Sequence, residues 1–316
     1  MTPLLIDTDP GIDDALALLL AFGSPECSVE AITTVAGNVE VPLCTRNARR
    51  IVAVARPASS PIIVEGAAKP VARPLVTAAH YHGADGLGDA FEDEPSPAAP
   101  LQTGGPTAAH TIVEMARRLG KVLTVVAIGP LTNIALALER NAAAMARIGR
   151  LVVMGGAVDV PGNVTPTAEF NMHVDPEAAA RVVAAGLPLD LVPLDVTRRV
   201  ILRRAELDTA LTQAPRALGE FVFAFTRFAF RVDEGAGERG IMLHDPLAVA
   251  VALDPSFVTF ERVRLGIGAD GETRREAGTP SCRVAVDVDA DRFLRYFLER
   301  LCRASSGSAP LMSTSS

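Results

Sequence analysis

Tryptophan is absent from this chain, and it has only two tyrosines, Tyr81 and Tyr296, so no indole is available to stack on a planar ligand. Lysine is nearly absent too: Lys69 and Lys121 are the only two among 316 residues, and arginine supplies the remaining positive charge. The net charge of −7 argues against a nucleic-acid backbone or an anionic membrane surface as the main partner. Arginine pairs such as Arg198-Arg199 and Arg203-Arg204 read as solvated faces rather than a phosphate track. Cys27, Cys44, Cys282 and Cys302 lie far apart and form no CxxC or Cys/His cluster. That scatter points to reduced thiols in a cytoplasmic protein. No apolar run approaches the roughly 18–20 residues that a membrane span needs. The N-terminus has no basic n-region and leads directly into a strand, unlike a signal peptide.

Carboxylates, in contrast, are concentrated. Four of the eight residues in Asp7-Thr8-Asp9-Pro10-Gly11-Ile12-Asp13-Asp14 are acidic. The run Leu4-Leu5-Ile6 before them reads as a short buried strand, and Ala15 to Phe22 after them as a helix opened by a Pro-Gly turn. The acids therefore sit where a strand ends and a helix begins, a common ligand position in open α/β sheets. Like charges this close destabilise one another unless a cation answers them. The first arginine is Arg46 and the first lysine Lys69, which makes a hard divalent cation held by oxygens the simplest answer.

Strand-like and helix-like segments alternate over the first two-thirds of the chain. Strands are predicted at 31–35, 62–64, 123–128, 151–154 and 189–192. Helices are predicted at 44–55, 107–119, 131–139 and 175–185, the last with Asp175 as N-cap, Pro176 in the first turn and Gly186 past its end. The alternation predicts one α/β domain with a mostly parallel central sheet flanked by helices and a site at the strand C-terminal ends. A helical stretch over 205–233 holds five phenylalanines, and 244–253 continues it. Residues 257–268 and 282–288 read as a two-stranded addition around an Asp270-Gly271 turn, before a closing helix at 291–302. The domain is expected over 1–303, with Pro95–Pro100 a surface loop and 304–316 a disordered Ser-rich tail.

Common motifs are missing or out of context. Gly266 to Gly271 matches GxGxxG, yet no apolar helix follows it, so a hairpin turn is the better reading. GxxxxGK[ST], GxSxG and HExxH do not occur. The remaining polar clusters all follow predicted strands: Gly37-Asn38, Gly129 to Asn133, Gly155-Gly156 with Asn163 and Glu169-Phe170-Asn171, and His244-Asp245-Pro246 at a later helix. In a parallel sheet these loops share one edge and can converge on the acids.

The segment Asp7-Thr8-Asp9-Pro10-Gly11-Ile12-Asp13-Asp14-Ala15 resembles the signature of the inosine–uridine nucleoside hydrolase family. The similarity continues in order through Val35-Ala36-Gly37-Asn38, Ile128 to Asn133, Met154-Gly155-Gly156, Ala168 to Asn171 and His244-Asp245-Pro246, covering roughly the first 250 residues. The resemblance implies a calcium-dependent enzyme that hydrolyses the N-glycosidic bond of ribonucleosides in nucleoside salvage, releasing nucleobase and ribose. It implies that Asp9, Asp14 and Asp245 bind Ca²⁺ with the backbone carbonyl of Ile128, and that Asp9 is also the general base for water. Asp13 would bond the ribose 2′-hydroxyl, Asn38, Asn163, Glu169 and Asn171 the other hydroxyls, and Met154 would pack beneath the sugar. His244 is the candidate acid for the leaving base, a task suited to a group titrating near neutrality, with His82 near that base. A homodimer or homotetramer is implied as well. The chain departs from the family in the aromatic hydroxyls and indoles of the base pocket, for which Phe225 and Phe228 are candidate substitutes. The base preference is expected to be broad or pyrimidine-leaning.

Two rivals remain at this level. Asp7-Thr8-Asp9 also resembles the start of haloacid-dehalogenase-type phosphatases, whose first aspartate attacks phosphorus, but that chemistry needs a lysine this chain hardly has. A non-catalytic ribose- or nucleoside-binding protein on the same scaffold would require neither Asp9 as base nor His244 as acid.

Overall fold

A computed structural model of the protein describes residues 1–91, 107–236 and 240–304. The Pro95–Pro100 segment and the tail beyond Ala304 lie outside the described residues. The chain begins β1 (Thr2–Thr8), α1 (Ile12–Phe22), β2 (Cys27–Thr34), α2 (Val41–Ala55), β3 (Ile62–Glu65) and α3 (Ala79–His82). It continues α4 (Ala108–Leu119), β4 (Thr124–Ala127), α5 (Thr132–Met145), β5 (Arg150–Met154), α6 (Phe170–Val174), α7 (Pro176–Ala184) and β6 (Leu189–Val192). Then follow α8 (Leu194–Thr197), β7 (Ile201–Leu202), α9 (Arg204–Leu211), α10 (Arg216–Ala236), β8 (Ile241–Met242) and α11 (His244–Leu253). The last elements are β9 (Val258–Ile267), β10 (Thr273–Glu276), β11 (Cys282–Val288) and α12 (Ala290–Leu301).

Nine strands form one sheet in the order β10-β9-β11-β6-β5-β4-β1-β2-β3. The pairings from β11 through β6, β5, β4, β1, β2 to β3 are parallel, and β9 alone runs the other way, antiparallel to both β11 and β10. The predicted single-domain α/β architecture is therefore the observed one. Residues 257–268 and 282–288 are not a separate addition. β11 pairs parallel with β6 and carries β9 and β10 as the sheet's outer edge, because its Val284 and Ala285 are buried and must be covered. The Asp270-Gly271 turn joins β9 to β10, with Gly271 at φ +95, so the GxGxxG match is indeed a hairpin turn. A further two-stranded ribbon, β7 with β8, flanks the 205–233 stretch expected to be helical.

Alternation along the strands divides the core. Leu4, Ile6, Val126 and Val152 face one side with α1, α10, α11 and α12, while Leu5, Val125, Ala127 and Val153 face α4, α5 and α7. Helix α1 is buried from Ile12 to Ala21, and this is why its sequence is apolar on every face. Each such Leu or Ile contributes about 1.5–3 kcal/mol when fully buried. Phe225 and Phe230 of α10 belong to this core. Among the described residues no helix is long and apolar enough to cross a membrane, and all four cysteines are free.

Candidate active site

The strand order places β1 between β4 and β2, so the chain leaves β1 to one side for β2 and β3 and returns on the other for β4. That reversal opens a crevice beyond the C-terminal ends of β1 and β4. Asp9 is the first residue past β1, and Ile128 the first past β4. Backbone bonds hold these ends together: Ile128 N donates to Asp7 O (2.8 Å) and Val35 N to Thr8 O (3.0 Å).

Around Asp14 the Pro10-Gly11 turn folds back on the strand end. Thr8 Oγ1 (2.5 Å) and Asp9 N (3.2 Å) donate to its Oδ1, and Gly11 N (3.0 Å) and Asn38 Nδ2 (2.9 Å) to its Oδ2. Asp9 Oδ2 accepts Asn38 N at 2.7 Å. Asp9 Oδ1 is buried and makes no hydrogen bond among the described residues. The carboxylate fits between two glycines: an added Cβ on Gly37 would lie 2.1 Å from Oδ2, and one on Gly129 2.5 Å from Oδ1.

Electrostatically this cluster is incomplete as a set of anions. Burial, then the charge of Asp14, pushes the Asp9 carboxyl well above its ordinary range. Burial raises Asp14, and burial followed by the charges of Asp14, Asp13, Asp9 and Glu169 raises Asp245 strongly. A buried carboxylate oxygen without a donor, beside two more carboxylates and the Ile128 carbonyl, is a donor set suited to a hard cation. Among the described residues no three His, Cys, Asp or Glu side chains stand at the spacing of an assembled metal site. Asp14 gives its oxygens to four protein hydrogen bonds in this arrangement, so full ligation requires small side-chain adjustments.

Helix α11 reaches the cluster by an unusual cap. Asp13 Oδ2, on α1, accepts the backbone N–H of both His244 and Asp245 at 2.9 Å, satisfying donors that the helix N-terminus leaves open. One carboxylate thereby docks α11 on α1 and sets Asp245 against Asp9 and Asp14. Thr197 Oγ1 lies 2.7 Å from His244 Nδ1. Burial, then the charge of Arg198, pushes His244 down to about 4, so it is neutral at pH 7 rather than titrating near neutrality as expected. His82 accepts Ile12 N on Nδ1 at 3.0 Å, which leaves its proton on Nε2. Burial, then His80 and His244, lowers His82 to about 3.

Loops after β5 close the other side. Glu169 Oε1 accepts Asn171 N (2.9 Å) and Oε2 accepts Gly156 N (2.9 Å) and Met172 N (3.2 Å), so it caps α6, and burial raises its carboxyl. Asn171 Nδ2 donates to the carbonyls of Ile128 (3.0 Å) and Met154 (3.3 Å). Asn163 Oδ1 accepts Phe170 N at 2.9 Å.

These residues surround a cavity of about 280 Å³. Asp13, Asn38, His82, Ile128, Met154, Asn163, Glu169, Asn171, His244 and Asp245 line it, and Asp9 and Asp14 are buried at its floor. Phe225 and Phe228 do not line it. Ile12, Ala78, Val164, Phe170, Ile241 and Met242 supply the apolar wall instead. Asp7 is also outside the cavity, fully buried in β1, with Thr33 Oγ1 (2.5 Å) and Asn133 Nδ2 (2.8 Å) donating to Oδ1 and burial raising it to about 7. It cannot reach a ligand, which removes the phosphatase reading. Thr197 and Arg198 were not legible as site residues. Arg198 lines the cavity instead of sitting on a solvated face, and nothing in its sequence context signals the loop carbonyls it binds.

The model of the family described as inosine-uridine preferring nucleoside hydrolase matches residues 4–295. The pyrimidine-specific ribonucleoside hydrolase RihA of Salmonella agona (strain SL483) is 36% identical over 315 residues, covering 95% of this chain and 98% of that protein. Among solved structures, a purine-preferring ribonucleoside hydrolase from Gardnerella vaginalis superposes with a TM-score of 0.88 at 32% identity, covering 97% of this chain and 100% of that one. A plant nucleoside hydrolase gives 0.87 at 33% identity, covering 95% and 99%. With the sheet, the acid-floored cavity and these similarities in agreement, the chain belongs to the inosine-uridine preferring nucleoside hydrolase family.

Proposed function

We propose that this protein is a calcium-dependent hydrolase of ribonucleosides that releases free nucleobase and ribose. The observation that carries this reading is the Asp9 carboxylate, whose Oδ1 is buried without a donor among the described residues, beneath a cavity ringed by oxygen-bearing side chains. Asp9, Asp14, Asp245 and the Ile128 carbonyl would hold Ca²⁺, which when bound orients water and the sugar diol and eases removal of the water's proton.

Asp9 takes that proton as general base, so no serine or cysteine nucleophile is needed. The sugar passes through an oxocarbenium-like state, which the surrounding carboxylates stabilise. Asp13 and Asn38 are already bonded to the cluster, so they present their remaining polar capacity to the sugar from fixed positions. Asn163, Glu169 and Asn171 grip the other hydroxyls, with Met154 beneath the ring. His82, buried, and His244, half-buried, are both neutral and serve the base end as N–H donors.

The relatives named above differ in base preference, one pyrimidine-specific and one purine-preferring. The absence of tryptophan and a wall whose aromatic rings are Tyr81 and Phe170 favour a broad or pyrimidine-leaning preference here. We read the working enzyme as a cytoplasmic homodimer or homotetramer, on the family resemblance and the reduced cysteines. The test is chromatography of a panel of purine and pyrimidine ribonucleosides after incubation with purified protein and calcium. Free base with an equal amount of ribose supports the reading. Intact nucleosides throughout, or a strict purine requirement, would overturn the activity or the preference respectively.

A further inference from the structure

The turn α8 and the residue after it hold the loop that follows β5 and runs on to Asn163 in the cavity wall. Asp195 accepts Val158 N (3.0 Å) and Asp159 N (2.8 Å), while Arg198 donates through Nη1 to Pro161 O (2.6 Å) and through Nη2 to Gly162 O (2.7 Å). Between them, Thr197 touches His244. Arg198 is the one arginine or lysine among the described residues that line the cavity, and no carboxylate among the described residues pairs with it. Its two carbonyl contacts fix the plane of the guanidinium, and a guanidinium has five N–H donors, so others remain available.

Breaking a C1′–N bond separates charge. The electron pair stays on the base nitrogen and the sugar becomes cationic. Asp9, Asp13, Asp14, Asp245 and Glu169 gather at the sugar end. A fixed, uncompensated cation at the His244 end completes a field directed along the breaking bond, and such prearranged charges act most strongly in a site that excludes water. We propose that Arg198 contacts the departing nucleobase and stabilises the negative charge it acquires, which makes Arg198 a determinant of which bases can leave. The inference rests on the ribonucleoside reading above. In the step, water's oxygen bonds to C1′ while Asp9 takes one of its protons, and the base regains neutrality by accepting a proton from solvent.

The test compares wild type, Arg198→Gln and Arg198→Lys on ribosides of graded leaving-group acidity, from uridine and inosine to p-nitrophenyl riboside. For Arg198→Gln, kcat/KM on nucleosides should fall about 100-fold or more, as for loss of one charge-stabilising donor. The loss should shrink as the leaving group becomes more acidic, steepening the dependence of rate on leaving-group acidity. Arg198→Lys keeps the charge and should restore a slope near that of wild type, even where KM rises because the loop carbonyls are held less firmly. An equal loss on every riboside with both variants would overturn the proposal, since it would show Arg198 acting only as a clamp on Pro161 and Gly162. A wild type inert on every riboside would instead overturn the underlying reading of the site, an outcome visible before any variant is made.

Discussion

Asp9 illustrates how much a single side chain depends on the space left for it. Its Oδ2 is committed to Asn38 N and its Oδ1 is buried and open, the pairing that a base and a cation ligand require. Asp9→Ala should lower kcat by at least about 100-fold, the size of a general-base contribution, with an unchanged circular dichroism spectrum. Activity within a few-fold of wild type would remove Asp9 from the mechanism. Gly129→Ala is a subtler probe, because the new Cβ would stand 2.5 Å from Asp9 Oδ1 and 2.9 Å from Val35 Cγ1. Displacing Asp9 by about 1 Å should cost about 100-fold in rate. Gly186→Ala is its control: nothing lies within 4 Å of the added carbon, but φ is +68. There the expected result is a stability loss of about 1–2 kcal/mol from left-handed strain with turnover intact.

Helix termini do the positioning at the next scale. Asp175 caps α7 through Ala178 N (3.0 Å) and also accepts Thr132 Oγ1 (2.7 Å) and Val71 N (2.9 Å), tying α5 and the loop before α3 to one buried carboxylate. Asp175→Ala removes a cap and leaves other polar groups unpaired, so chemical denaturation should show a loss of about 2–4 kcal/mol. A change below the error of that measurement would show that water replaces the carboxylate.

Asp175 was legible as a cap because Asp-Pro before an apolar-periodic run is a local signal, and the buried parallel strands were legible because they are short apolar runs bounded by turns. The β9 and β11 pairing with the main sheet was not. A strand's partner is a non-local choice, and the half-exposed alternation of Val258–Ile267 suits an edge strand and an isolated hairpin equally well. The two-residue β7 and β8 are too short to carry any period. Asp9 and Asp14 stood out as acids without nearby bases and Asp245 through the family resemblance, but the cap that Asp13 places on α11 joins residues 231 positions apart and has no local mark.

For the whole molecule, the acid cluster joins three parts of the fold: the end of β1, the start of α1 and the start of α11. A cation there would act as a cross-link, stabilising the native state in proportion to its binding. Thermal unfolding should therefore shift downward when a chelator is added and recover with calcium. Zinc should restore it poorly, since the set offers only oxygens. No shift in either direction would show that the carboxylates satisfy one another by sharing protons.

The most direct measurement is a calcium titration of chelator-stripped protein in which binding heat and ribose release from a nucleoside are followed on the same sample. One ion per chain is predicted, with ribose release rising in step with occupancy and both signals lost together in Asp9→Ala. Full ribose release from metal-free protein, or calcium binding that leaves the protein inactive on every nucleoside, would contradict the account.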